Sequence, residues 1–277
     1  MNFLTEAEPP RGETTTVAPG IRRLVAPNPG LMTCHGTNTY LLETGEGLAV
    51  VDPGPDDPAH VERILAVAGA PIRAILLTHT HQDHVGALRA LREATGATLY
   101  AWHAPADPAG APDTPLHDGD RVGAWQALHT PGHAPDHLCY AGPDGILLSG
   151  DHVMGWSTTV VSPPSGDMSA YFSSLERLLG REDRVYLPGH GPPIPDPRGF
   201  ASALLRHRQG REATIRAALG EQPMPVHALA DAVYPGLQSG LRRAAERSIT
   251  AHLLKLRDEG AAAETASGWV AVPVARP

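Results

Sequence analysis

The sequence lacks the features that mark secreted and membrane-spanning proteins. Its 277 residues include only two cysteines, Cys34 and Cys139, which lie far apart and without metal-ligand spacing, so we expect reduced thiols rather than a disulfide. No apolar run approaches the roughly 18 residues that span a bilayer. The polar, acidic start also lacks the basic-then-apolar order of a signal peptide. We therefore expect a protein of the cytoplasm without a membrane segment.

Basic charge is also scarce, and it is unevenly distributed. The chain carries 22 Lys and Arg against 30 Asp and Glu, a formal net charge of −8. Residues 1–199 hold 12 basic and 23 acidic side chains, whereas residues 200–260 hold 9 and 6. This balance does not favour a strongly basic nucleic-acid binder, and its change along the chain suggests two modules. We predict one domain over residues 1–199 and a second over residues 200–277.

In the first module, short apolar strands alternate with segments of helical periodicity. This pattern is typical of an α/β or layered αββα domain. The clearest strands are predicted over residues 37–43, 48–52, 74–78, 98–102 and 145–149. Helices are predicted over residues 58–68, 85–94 and 168–179. Asp167 can cap the last of these at its N-terminus.

The second module has a different pattern. Helices are predicted over residues 200–219, 226–233 and 241–259, and Gly260 ends the last one. A small β-hairpin over 261–264 and 269–274 follows. Three helices closed by a hairpin are the outline of a winged helix.

The densest group of chemically active residues follows the strand predicted over 74–78. The chain runs from it directly into His79-Thr-His81-Gln-Asp83-His84 and then into a helix. In an extended turn, alternate residues face the same side, so His79 and His81 can reach one metal ion while Asp83 and His84 can reach a second. The alternative, a polar loop with ordinary hydrogen-bonded histidines, is weakened by the motifs that come later.

Three further candidate ligands each follow a glycine. They are His133 in Thr-Pro-Gly-His, Asp151 in Leu-Ser-Gly-Asp and His190 in Leu-Pro-Gly-His-Gly. A glycine step lets the chain turn sharply and bring a side chain close to a site, although such steps are more often plain turns. Together with the first group, these residues complete two ligand sets.

The order of these motifs resembles that of the metallo-β-lactamase superfamily over residues 37–191. The resemblance implies an αββα sandwich and a site for two zinc ions. It assigns one ion to His79, His81 and His133, a second to Asp83, His84 and His190, and the bridging position to Asp151. Asp52, Thr78 and His137 resemble positions that support the ligands without binding metal. A packed histidine is the alternative for His137 and the preferred interpretation of His152.

Such a site would carry out hydrolysis. Zinc with three protein ligands keeps an open position for water and lowers its pKa from about 15.7 towards about 7, so the nucleophile is hydroxide. Asp83 is placed to orient that hydroxide or to accept its proton. This chemistry suits esters, thioesters, amides and phosphodiesters. The same donors also accept iron or manganese.

The segment 150–160, the helix over 168–179 and the helical tail resemble one branch, the β-lactamase-like protein 2 group. Its members are associated with cleavage of single-stranded RNA, so a phosphodiester is our first hypothesis for the substrate. The tail would then offer phosphate contacts from Arg206, Arg208, Arg211, Arg242, Arg243 and Arg247. The net charge of −8 argues against this, and a winged helix can also serve packing or the formation of a homodimer.

Other functions stay open. The first alternative is a small-molecule thioester or ester hydrolase similar to glyoxalase II, with Ser157, Thr158 and Thr159 lining the pocket. A mononuclear iron enzyme similar to persulfide dioxygenases and a non-catalytic effector are further alternatives. A periplasmic β-lactamase is disfavoured because we see no export signal. RNase Z is disfavoured because these short loops leave no room for its long exosite arm.

Overall fold

The computed structural model describes residues 1–272, and these form two sheets, seven helices and a C-terminal hairpin. The strands are β1 (Thr14–Ala18), β2 (Ile21–Val25), β3 (Asn38–Thr44), β4 (Gly47–Val51), β5 (Ile72–Leu76), β6 (Thr98–Trp102), β7 (Thr114–Leu116), β8 (Arg121–Val122), β9 (Trp125–His129), β10 (Leu138–Ala141), β11 (Ile146–Gly150), β12 (Val185–Pro188), β13 (Ala262–Thr265) and β14 (Gly268–Ala271). The helices are α1 (Pro58–Ala68), α2 (Gln82–Val85), α3 (Leu88–Thr95), α4 (Met168–Leu179), α5 (Pro197–Ala218), α6 (Val226–Val233) and α7 (Arg242–Asp258).

The topology of the two sheets brings several strand ends to common edges. In the first sheet the strands follow chain order from β1 to β7, antiparallel up to β4 and parallel from β4 to β7. The second sheet has the order β12-β11-β10-β9-β8, in which only β11 and β12 are parallel. Parallel neighbours end at the same edge of a sheet, which is where ligands commonly bind in α/β proteins.

Successive side chains of each strand point to opposite faces of the sheet, and this alternation produces the layers. In the first sheet, Leu41 and Val50 face α1 and α3, whereas Tyr40 and Val51 face the second sheet across a shared apolar core. The other face of the second sheet packs against α4 and α5. The order of layers is therefore helix, sheet, sheet, helix, and the predicted αββα sandwich is confirmed.

The helices α1, α4 and α6 have the bounds predicted from the sequence. Asp57 and Asp167 cap the first two, since their carboxylates accept hydrogen bonds from backbone N–H groups of the first turn. The single helix predicted over 85–94 is instead the pair α2 and α3, separated at Gly86. A Cβ at Gly86 would collide with the backbone of the 55–56 turn, so this close approach requires glycine.

The C-terminal region has the predicted three helices closed by a hairpin, in which β13 pairs with β14. Residues 273–274 of that predicted hairpin lie outside the described residues. The helix α5 contributes to two cores: Phe200 and Leu204 pack under the second sheet, whereas Ile215 packs with α6, α7 and Trp269 of the hairpin. The boundary at residue 199 stays a prediction. Within residues 1–272, no helix combines the length and apolar character needed to cross a membrane.

Candidate metal centre

The predicted ligands converge because they follow strand ends at one edge of the sandwich. His79 and His81 lie in the turn between β5 and α2, and the first turn of α2 adds two more residues. His133 lies between β9 and β10. Asp151 and His190 follow the neighbouring parallel strands β11 and β12. Four separate segments of the chain thus deliver side chains to one place.

Three histidines form the first group of donors. The Nδ1 atom of His81 lies 2.9 Å from Nε2 of His79 and 2.9 Å from Nε2 of His133. Two nitrogens bound to the same tetrahedral zinc at about 2.0–2.1 Å would lie about 3.3 Å apart. The three ring nitrogens are therefore gathered around one point, as a metal ion requires.

The second group is formed by Asp83, His84 and His190. Nε2 of His190 lies 3.2 Å from Nε2 of His84 and 3.2 Å from Oδ2 of Asp83. The carboxylate of Asp83 is the most accessible of the three, since about a third of its side chain is exposed, whereas both histidines are fully buried. This group can hold a second ion beside the first.

Asp151 lies between the two groups. Its Oδ2 is 3.6 Å from Nε2 of His133 and 3.4 Å from Nε2 of His190, and its Oδ1 is 3.5 Å from Nε2 of His84. Oδ1 is buried and accepts no hydrogen bond from the described residues. A buried, unsatisfied carboxylate oxygen is costly, and a shared cation would satisfy it. The glycine at position 189 is required here because a Cβ would collide with this oxygen.

The electrostatics differ between the two groups of donors. Burial and the neighbouring imidazoles hold the pKa of His79 well below its usual range, and burial lowers the pKa of His81 to about 4. Although burial opposes it, nearby His84 and His190 hold the pKa of Asp151 well below its usual range. In the second group, although burial opposes it, the carboxylates of Asp151 and Asp83 raise the pKa of His84 well above its usual range and that of His190 to about 9. Histidines bind a metal in the neutral form and carboxylates in the ionised form, so a cation in the second group would replace the protons of these two rings. The residues therefore fit a metal centre.

Asp52 and Thr78 link the two groups of ligands by hydrogen bonds to the Nδ1 atoms of His84 and His79, on the ring side that faces away from the metal site. Asp52 accepts hydrogen bonds from the backbone N–H of Thr78 at 2.8 Å, from its Oγ1 at 2.7 Å and from Nδ1 of His84 at 2.8 Å. Thr78 Oγ1 also lies 3.0 Å from Nδ1 of His79. These bonds place the ring protons on Nδ1 and leave the Nε2 atoms of His79 and His84 free for a metal.

His137 supports the backbone rather than a ligand ring. Its Nδ1 pairs with Oγ1 of Thr130 at 2.9 Å, and its Nε2 accepts a hydrogen bond from the backbone N–H of Asp151 at 3.1 Å. Burial holds the pKa of His137 well below its usual range, which keeps Nε2 an acceptor. His152 is buried between the rings of His137 and Tyr171, and neither of its nitrogens has a partner among the described residues.

A pocket of about 400 Å³ gives access to the site, and four of the proposed ligands line it: His81, Asp83, His133 and Asp151. Ser157 and Thr158 line it. Thr159 instead turns its hydroxyl into the protein, where it donates to the carbonyl oxygens of residues 151 and 152. A larger cavity of about 640 Å³ lies beside α3 and contains none of the proposed ligands, so the smaller pocket is the relevant one.

Sequence reasoning did not single out Leu31 and Met32 at the pocket. Both lie at its mouth, and 86% and 54% of their surfaces are exposed. Their exposure and their position beside the site depend on the fold, so no local signal in the sequence could have found them. Arg247 of α7 also lines the pocket.

The other five arginines proposed to contact phosphate are absent from the pocket wall. Arg208 is buried and donates to the carbonyl of Thr159, and Arg211 lies over the ring of Tyr234. Arg242 pairs with Asp231 and Glu246. Arg206 and Arg243 are exposed and lie outside the wall of the pocket.

Known proteins resemble this chain over both regions. Residues 32–190 match the metallo-beta-lactamase superfamily, and residues 226–269 match the beta-lactamase associated winged helix domain. The beta-lactamase-like protein 2 homolog of Drosophila melanogaster is 32% identical over 271 residues, covering 89% of this chain and 90% of the relative.

Solved structures resemble the fold as well. A beta-lactamase domain protein from Burkholderia ambifaria has a TM-score of 0.82 at 25% identity, covering 96% of this chain and 95% of its own. The protein TTHA1623, solved in a di-iron-bound form, has a TM-score of 0.54 at 33% identity, covering 62% of this chain and 94% of its own.

Proposed function

Because this chain belongs to the metallo-beta-lactamase superfamily and carries the winged helix associated with it, we propose that it is a hydrolase with two metal ions. The observation that carries the proposal is the place of Asp151. Its carboxylate lies between two complete groups of donors and has one buried oxygen without a hydrogen-bond partner among the described residues. A single-ion enzyme would leave the second group, Asp83, His84 and His190, without a purpose.

We assign one ion to His79, His81 and His133, the other to Asp83, His84 and His190, and the bridging position to Asp151. Zinc is our first choice because neutral imidazole and carboxylate are its common ligands. The same donors accept iron or manganese, and the di-iron form of TTHA1623 makes iron the main alternative. Bound there, the ions would supply Lewis acidity and a water ligand acidic enough to act as a nucleophile near neutral pH.

Asp83 is the residue of this chain that we propose for handling the nucleophile. Its carboxylate reaches the pocket, and its Oδ2 faces His190. Although burial opposes it, His84 and a hydrogen bond from His190 lower the pKa of Asp83 to about 2. A carboxylate that stays ionised is a good hydrogen-bond acceptor but a weak base. We therefore propose that Asp83 orients the attacking water by accepting a hydrogen bond from it, and that Asp83 is not the main acceptor of the proton that the water loses.

The pocket wall supports a compact substrate with an apolar part. Leu31 and Met32 form an apolar rim, and Met154 and Trp156 line the wall. Among the described residues that line the pocket, Arg247 is the one arginine or lysine. These features suit a carboxylic thioester or ester that has an apolar acyl chain and an anionic group at its far end. We propose this class ahead of single-stranded RNA.

A phosphodiester is the second candidate, and one observation favours it. Arg247 stands at the mouth of a pocket that leads to the proposed metal ligands, where it could contact a phosphate next to the scissile one. The engagement of Arg208, Arg211 and Arg242 elsewhere leaves few arginines to follow a longer strand. Any cleavage of RNA should therefore require few nucleotides.

A panel of substrates tests the proposal on the zinc-loaded protein. It should contain a thioester of N-acetylcysteamine whose acyl chain ends in a carboxylate, S-lactoylglutathione, bis-p-nitrophenyl phosphate, unstructured RNA and nitrocefin. We expect the fastest turnover with the acyl thioester, its loss on chelation and its return with zinc. Cleavage of RNA or the phosphodiester alone would select the second candidate. A protein that holds two ions and hydrolyses nothing in the panel would contradict the hydrolase.

A further inference from the structure

Arg208 is an unusual residue in this fold because it is a buried cation with no acidic partner among the residues that the structure describes. Only 5% of it is exposed, although it lies in the long helix α5. Its hydrogen bonds within residues 1–272 go to neutral oxygens: the carbonyl of Thr159 and, at 3.5 Å, Oγ of Ser248 in α7. Its guanidinium also lies 5.6 Å from the centre of the Tyr171 ring. Burying a charge in such surroundings costs stability, and hydrogen bonds to neutral oxygens offset only part of that cost. The residue therefore suggests a role beyond stability.

The segment that Arg208 contacts, residues 159–160, is hydrogen-bonded to two of the proposed metal ligands. Thr159 Oγ1 lies within 2.8 Å of the carbonyl oxygen of Asp151, so it ties the segment to the backbone of the bridging ligand. The carbonyl of the next residue, Val160, accepts a hydrogen bond from Nδ1 of His133 at 2.6 Å. That bond leaves Nε2 of His133 facing the other histidines. Such supporting bonds orient ligand rings and tune their affinity for metal.

We propose that Arg208 is a positioning residue for the metal centre: it holds the Thr159 carbonyl and thereby fixes the 159–160 segment that orients His133 and Asp151. This inference rests on the proposed function, since it takes His133 and Asp151 to be metal ligands. Ser248 supplies the second anchor from α7. The C-terminal helices therefore stabilise the site and do not merely adjoin it.

The geometry explains why arginine suits this position. Its planar fork can donate to Thr159 and Ser248 at the same time, and its delocalised charge can lie near an aromatic face. The ring that it approaches takes part in the same support, because the hydroxyl of Tyr171 donates to the carbonyl of His152 at 2.9 Å. Lysine keeps the charge but has no fork, so it should replace arginine only in part.

The test compares Arg208→Met and Arg208→Lys with Arg211→Met in the full chain. Arg211 is a matched control because it lies one turn further along α5 and bonds the carbonyl of Val233 instead, away from the ligands. Zinc affinities are measured by competition with a chromophoric chelator. We expect Arg208→Met to lower the affinity for at least one zinc ion about tenfold. The zinc affinity of Arg208→Lys should lie between that of Arg208→Met and that of the wild type. Arg211→Met should bind zinc as tightly as the wild type.

A second readout separates positioning from simple stability. The ring N–H of His133, observed by NMR in the zinc-loaded protein, should shift in Arg208→Met and not in Arg211→Met. Wild-type zinc affinities and an unshifted resonance, together with a lower melting temperature, would mean that Arg208 serves the fold alone, and the inference would be wrong. If Arg208→Met does not fold, Arg208→Lys decides in the same way. A wild-type chain that binds fewer than two ions would instead refute the proposed function.

Discussion

Replacing Asp52 by asparagine would remove one hydrogen-bond acceptor from behind the site and leave the shape of the side chain almost unchanged. Asp52 now accepts three hydrogen bonds, two from Thr78 and one from His84, and it is 2% exposed. An amide offers one oxygen where the carboxylate has two, and its NH2 group would face a donor. Asparagine tolerates the left-handed backbone at this position, where φ is 50°, so the backbone should not move.

The expected effect of Asp52→Asn has two parts. A buried donor left without an acceptor costs about 1–3 kcal/mol of stability. The ring of His84 loses its charged partner, and changes of this kind usually weaken metal binding about 10–100-fold, which corresponds to about 1.4–2.7 kcal/mol. The ion that we assign to Asp83, His84 and His190 should therefore be the one lost first.

The assay is a zinc titration of the metal-free variant, together with its thermal unfolding. Asp57→Asn is the matched control, because Asp57 also accepts backbone N–H groups but does so at the exposed start of α1. We expect the control to lose some stability and no metal affinity. If Asp52→Asn binds both ions as tightly as the wild type, the proposed role of Asp52 in holding His84 is wrong.

Three further predictions concern the bridge, the pocket and the C-terminal region. Asp151→Ala should abolish hydrolysis and lower the metal content from two ions to about one or none with an unchanged circular dichroism spectrum; unchanged turnover would contradict the site. Arg247→Ala should raise KM for an anionic thioester about fivefold with kcat unchanged, whereas Arg243→Ala should not, and equal effects of the two would refute a specific contact. A chain that ends at residue 199 should aggregate on size-exclusion chromatography, because the core under the second sheet loses Phe200; a soluble, fully active fragment would show that the C-terminal region is dispensable.

The layers of the fold and the set of candidate ligands were predictable because their signals are local. An apolar strand that ends in His79-Thr-His81-Gln-Asp83-His84 can present those side chains only at the end of the strand. Asp57 and Asp167 stand directly before helical periods, where capping is a short-range interaction. The sandwich and the winged helix follow from the alternation of such elements, and both were confirmed.

The roles of the arginines were not predictable, because they depend on contacts between distant segments. Arg208 and Arg247 look alike in the sequence, and both lie on helices of the second module. One is buried against a loop about fifty residues earlier in the chain, and the other lines the pocket. The division of the helix predicted over 85–94 has the same kind of cause, since Gly86 approaches a turn about thirty residues earlier. Periodicity carries no information on such approaches.

The most direct test of the account is anomalous diffraction from crystals of the zinc-loaded protein at the zinc edge. We predict two peaks, one among His79, His81 and His133 and the other among Asp83, His84 and His190, with the carboxylate of Asp151 between them. A single peak, or peaks away from these side chains, would contradict the two-ion centre on which the proposed function depends.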